Sequence, residues 1–148
     1  MWVEAMIFLI NDLKQAYFRW HDSGDLQGIW HLDKICQVAW GTPNTMHWLP
    51  TREWDMVRRY LNDMKMPRPP NLVIRLSAFM VNGEPPADLA RTLGVNTSSV
   101  SNWDYTCESQ SKLVKTRRNG ATTMVPGYCG ACRKCWNPLV ENVSYPLH

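Results

Sequence analysis

Three short runs constrain the fold most: "AYFRW" at 16–20, "TMHWL" at 45–49 and "LVIRLSA" at 72–78. Each is rich in aromatic or β-branched residues, and each is separated from the next by a stretch of helical length. Residues 2–16 place Val3, Met6, Ile7, Ile10 and Leu13 at helical spacing. Residues 28–41 do the same with Ile29, Leu32, Ile35, Cys36 and Ala39, and "GTP" at 41–43 ends that helix. "REWDMVRRYLNDM" at 52–64 puts Trp54, Val57, Leu61 and Met64 on one stripe with charges opposite. Strands joined through helical crossovers run parallel, so the order predicts an α/β fold with a parallel sheet.

Neighbouring side chains of a strand point to opposite faces. On that basis one face collects Phe18, Trp20, Met46, Trp48, Ile74 and Leu76. The other collects Arg19, His21, His47, Thr51, Arg75 and Ser77, with Leu49 the exception. A doubly wound sheet is apolar on both faces. One apolar face predicts instead a partial (β/α) barrel, with helices on one face and a polar, cationic lumen at Arg19, His21, His47 and Arg75.

The chain has 148 residues, one domain's worth, read as an α/β core over 1–104 and a Cys-rich tail over 105–148 packed on it. A hydrophobic fraction of 45% with 20% charged residues excludes a disordered chain, and a net charge of +3 does not by itself demand nucleic acid. The opening "MWVEAMIFLI" is interrupted by Glu4 and is too short for a bilayer span, so no membrane association is expected. With no export signal, the expected location is a reducing compartment, the host cytoplasm, where clustered thiols bind metal more often than they pair.

In parallel α/β folds ligands bind beyond the carboxyl ends of the strands. The loops leaving those ends carry His21, Asp22, Ser23, Gly24 and Asp25, then Thr51 and Arg52, then Ser77. With Arg75 these form the candidate site for a small anionic ligand. Gly24 lets backbone approach a ligand closely, and the acids accept from hydroxyls or amines. Thr51 with Glu53 also suits a plain helix start. No acid–base pair or nucleophile constellation stands out, which leaves catalysis open.

"CGACRKC" spaces Cys129, Cys132 and Cys135 as C-x2-C-x2-C, a compact chelate that needs a fourth ligand. Cys107 in "DYTCES" is the expected fourth, with His148 in reserve. Four thiolates suit tetrahedral zinc or a [4Fe–4S] cluster, and sulfur donors do not separate the two. Cys36 lies on the apolar stripe of its helix and reads as core. Between Cys107 and Cys129, Lys112, Lys115, Arg117 and Arg118 make a basic segment, ordinarily a solvated loop, that is able to contact nucleic-acid phosphates.

A rival reading takes "PPADLARTLGVNTSSVSNW" as a helix-turn-helix. Ala90 would be the small residue, Gly94 the turn glycine, and Val100 and Trp103 packing residues. Thr97, Ser98 and Ser99 would then begin a recognition helix, giving a DNA-binding regulator with a structural zinc site.

Three blocks carry a resemblance: "FRWHDSGDLQGIWHLDKICQVAWGTPNTMHWLPTREW", "NLVIRLSAFMVNG" and "CGACRKCWNPLVENVSYPLH". In them the chain resembles the phage gene-product-88 family over most of residues 17–148. Members of that group resemble radical-SAM-type barrels, which implies an iron–sulfur or other metal centre and an S-adenosylmethionine-like ligand. Carried over, Ser23, Gly24 and Asp25 form a rim site, and Cys107, Cys129, Cys132 and Cys135 form the cluster. Radical-SAM enzymes place a C-x3-C-x2-C run before their core, and this chain has none before Cys36. The resemblance therefore implies a shortened form, a protein partner that completes the barrel, or absent radical chemistry. "CGACRKC" is also similar to the zinc tail of 7-cyano-7-deazaguanine synthases, whose Gly-rich phosphate loop is missing here. That likeness implies a structural metal rather than their reaction.

Overall fold

The computed structural model describes residues 1–21, 23–107, 113–118, 121–126, 129 and 131–147, with 113–118 and 121–126 as backbone only. Asp22, Lys112 and His148, and the side chains of Lys115, Arg117 and Arg118, lie outside the described residues.

The helices and strands alternate as expected: α1 (Trp2–Asp12), β1 (Tyr17–Arg19), α2 (Ile29–Gly41), β2 (Met46–Thr51), α3 (Trp54–Arg58) and β3 (Leu72–Ser77). After these come α4 (Ala87–Leu93), β4 (Asn96–Ser101), the hairpin β5 (Leu113–Arg118) and β6 (Ala121–Pro126), and β7 (Asn142–Pro146). Strands β1, β2, β3, β4 and β7 form one five-stranded sheet in that order, every neighbouring pair parallel. This open, half-barrel sheet carries its helices on one face.

Register decides which side chains share a face. Phe18 sits beside His47, His47 beside Leu72, Leu49 beside Ile74, and Thr51 beside Leu76. With Trp20 they form the outer face, where Leu32, Ile35, Val38 and Ala39 of α2, Val57 of α3, Ala90 of α4 and Ile10 of α1 close the main core. A fully buried Leu or Ile contributes about 1.5–3 kcal/mol. Two polar residues are built into this layer. Asn71 Nδ2 donates to the carbonyls of Ala39, Thr42 and Thr45, tying the end of α2 to β3. His47 Nε2 pairs with Thr42 Oγ1 at 2.8 Å.

The inner face holds Arg19, Trp48, Val73, Arg75, Ser98, Val143 and Tyr145 by the same register. This corrects the expected polar lumen. β2 is shifted by one relative to its neighbours, so His47 and Leu49 face the helices while Trp48 faces inward. The Leu49 exception marked that shift. Both faces of the sheet centre are apolar, which leaves alternation ambiguous.

The connection from β4 to β7 differs from the earlier ones. Its described part over 131–141 lies on the inner face, with a 3-10 turn at Lys134–Trp136 against the sheet. Trp136 Nε1 donates to the Phe18 carbonyl of β1 at 3.0 Å, and its ring meets Trp48 edge-on. The tail also lends β7 to the sheet, so it is part of the core architecture.

The helix-turn-helix reading is overturned at its second helix. α4 ends on Gly94 with φ +63, a left-handed cap as the turn glycine implied. Thr97, Ser98 and Ser99 then lie in β4, paired with β3 and β7. Any helix with a left-handed glycine cap matches that part of the motif, and pairing with β3 and β7 makes "NTSSVS" a strand.

Candidate metal centre and rim cleft

Cys107 and Cys135, remote in sequence, are both buried in one inner-face cluster with Trp48 and Val143, flanked by Trp136, Val140 and Tyr145. Cys107 is placed by its backbone N–H, which donates to the Ser144 carbonyl of β7 at 2.9 Å. Cys135 sits in the 3-10 turn, its Sγ 3.2 Å from the Tyr145 hydroxyl. Cys132 N–H donates to the Cys129 carbonyl at 2.8 Å, closing the knuckle, and both of those side chains are exposed. Burial pushes the Cys135 thiol pKa up; the Tyr145 hydroxyl and Arg75 oppose this, while charge on Cys107 and Cys129 adds to it. No three His, Cys, Asp or Glu side chains among the described residues converge as a ligand set. Cys36 is buried in the outer core and its thiol is pushed up to about 11 by burial, in keeping with a packing role.

Arg75 is the residue whose role sequence reasoning missed. Expected at the rim, it is instead wholly buried beneath the knuckle. Its Nε donates to the Cys135 carbonyl at 3.0 Å, and Nη2 to Lys134 at 2.9 Å and Asn137 at 3.0 Å. Nη1 donates to the carbonyls of Thr97 at 3.0 Å, Val140 at 2.9 Å and Glu141 at 3.4 Å. The planar fork of a guanidinium is suited to this spread of acceptors, and a lysine is not. No carboxylate among the described residues pairs with it. Burial lowers its pKa, and the anionic forms of Tyr145 and Cys135 oppose that. A central Arg within an otherwise apolar strand, "LVIRLS", was the available signal.

At the carboxyl ends of β1, β2 and β3, His21, Ser23, Gly24, Asp25, Thr51, Arg52 and Ser77 lie around one cleft. This cleft of about 680 Å³ is lined by Arg19, His21, Ser23, Asp25, Arg52 and Ser77, among others. Thr51 and Gly24 belong to the same wall. Asp25 organises it: its carboxylate accepts from Thr51 Oγ1 at 2.5 Å, Arg52 N–H at 2.8 Å and Leu26 N–H at 2.7 Å. Thr51 Oγ1 also accepts from Glu53 N–H at 3.0 Å, just ahead of α3, whose N-cap is Glu53 without a side-chain cap bond. His21 holds φ at +53, which is uncommon for a residue with a Cβ. Both its ring nitrogens are buried with no hydrogen-bond partner among the described residues. Burial, with His31 second, lowers its pKa and keeps the ring neutral.

The model of the family described as "gene product 88" matches residues 2–138, from α1 through the knuckle. The chain belongs to the gene product 88 family. No curated protein and no solved structure matches. In this family member, no helix among the described residues is long and apolar enough to cross a membrane.

Proposed function

We propose that this gene product 88 protein is a phage accessory metalloprotein, in which Cys107, Cys129, Cys132 and Cys135 hold one zinc ion or one [4Fe–4S] cluster over the inner face of the sheet. One observation carries the reading. Two thiols distant in sequence share a buried cluster, and one of them, Cys135, rests its carbonyl on a buried guanidinium whose hydrogen-bond partners among the described residues are all carbonyls. A buried cation without an acid is costly, and a thiolate set supplies the missing negative charge. The donor chemistry fits such a centre, because soft thiolates in a C-x2-C-x2-C knuckle with a remote fourth suit both zinc and iron–sulfur.

When bound, zinc would supply a cross-link, and an iron–sulfur cluster would supply electron transfer. The chain's own residues do the holding. Arg75 fixes the carbonyls on either side of Cys135, Ser144 fixes Cys107, and Trp48 and Trp136 exclude water from the buried side. A reducing compartment such as the host cytoplasm keeps free thiols available. S-adenosylmethionine belongs only with the iron form, and without an upstream C-x3-C-x2-C run no radical step is proposed.

Anaerobically purified protein should carry about one zinc or one four-iron cluster per chain, brown in the iron case. Cys132→Ser removes an exposed thiol, so it should lower metal content and, through it, thermal stability. Unchanged metal content in that variant would discard the site.

A further inference from the structure

We propose that the rim cleft binds a nucleoside phosphate, its anionic group against Arg52 and the loop at Gly24, its base over Phe79. The proposal does not depend on the thiols.

Three observations narrow the ligand. The tail fills the inner face with Trp136 and the Arg75 contacts, so an approaching ligand meets the rim rather than the lumen. Ligands of parallel α/β sheets sit at that end. The rim is also braced before anything binds, because Asp25 ties the β1 loop to the end of β2 through two hydrogen bonds and accepts a third from Leu26 within the loop. Preorganisation of this kind lowers the entropic cost of binding.

The polar end offers an anion subsite. The Arg52 guanidinium is exposed and forms no ion pair among the described residues. Gly24 holds φ +86 with open space where a Cβ would be, so backbone comes within reach of a phosphate. His21 contributes two ring nitrogens with no partner among the described residues, in a neutral ring that is able both to donate and to accept. Buried polar atoms left unpaired beside a cleft are unusual unless a ligand or water completes them.

The other end is flat and apolar. Phe79 is 55% exposed and packs on Trp54 with ring centroids 4.1 Å apart. Phe79, Arg52 and Glu53 line both the polar cleft and an adjoining compartment of about 430 Å³ that reaches Leu89. The two compartments therefore form one groove, with cationic and hydroxyl groups and the hydrogen-bonded Asp25 carboxylate at one end, and a ring platform edged by Asp55 and Arg58 at the other. Base–aromatic stacking rewards a flat ring there. Glu53, at the junction, suits a ribose hydroxyl.

The test is calorimetric titration of the full chain with AMP, adenosine, ribose 5-phosphate and inorganic phosphate. AMP should bind saturably, and each fragment should bind at least about tenfold more weakly, since each forfeits one subsite. Arg52→Ala should weaken AMP by about tenfold and leave adenosine unchanged, while Phe79→Ala should weaken both. Melting curves of both variants check that these exposed substitutions leave the fold intact. Absence of saturable AMP binding at millimolar concentration overturns the proposal, as does AMP binding that Arg52→Ala does not alter. Phosphate binding as tightly as AMP would also overturn it, by removing the ring. Metal content measured on the same samples separates this result from the fate of the cysteine site.

Discussion

The two faces of one sheet are covered in opposite ways. The outer face is closed by four helices among the described residues, through many interchangeable apolar contacts. The inner face is closed by a stretch with one 3-10 turn, held by five carbonyl bonds to a single arginine and one indole bond to β1. Apolar area is redundant, so a trimmed side chain outside costs only its own share. Directional contacts converging on one residue are not redundant. The inner face should therefore fail abruptly, and the proposed metal site lies on that brittle side.

The largest effect should come from Arg75→Leu. It strands six carbonyls, and each buried acceptor left without a donor costs about 1–3 kcal/mol. Urea unfolding should show that loss, and hydrogen exchange should show 132–140 opening first. Arg75→Lys should recover little, because an ammonium lacks the planar fork. If the outer helices lose protection together with the tail, the two faces are one cooperative unit and the contrast fails.

Next comes an outer-face effect that depends on pH. Burial lowers the His47 pKa to about 4. An unfolded histidine near 6.5 binds a proton that the folded one refuses, so stability is full above about pH 6.5 and falls as pH drops toward 4. That drop should reach roughly 3 kcal/mol. His21, also lowered, adds in the same direction. Unfolding of wild type and His47→Gln at pH 7, 6, 5 and 4 should show a shallower slope in the variant. An equal slope would locate the proton uptake elsewhere.

Trp136→Phe keeps the ring and removes the 3.0 Å bond to the Phe18 carbonyl. It should cost about 1 kcal/mol. A cost near zero would mean that packing against Trp48, rather than the bond, seats the tail on β1.

How far the sequence disclosed this depends on the element. β1, β2 and β3 were legible because aromatic and β-branched runs stood between helical stretches, and their parallel order followed from the crossovers. β4 and β7 were not. "NTSSVS" and "NVSYP" alternate no clear apolar pattern, since their polar side chains find polar partners, as Ser98 does in Ser77 and Thr97 in Asn142. α3 was read as one regular helix, but residues Arg59–Asp63 take a π turn that buries Tyr60 and leaves Met64 exposed. Most of the rim was legible because loop position follows from strand order. Arg75 was not, because only the tertiary fold brings the carbonyls of 134–141 to it.

The central claim, a thiolate-held metal on the brittle inner face, is tested most directly by X-ray absorption at the metal edge of anaerobically purified protein. The account predicts a first shell of sulfur only, at about 2.3 Å for zinc. It also predicts that the shell loses a sulfur in Cys135→Ser. A shell of nitrogen and oxygen, or a protein with no bound metal at all, would contradict it.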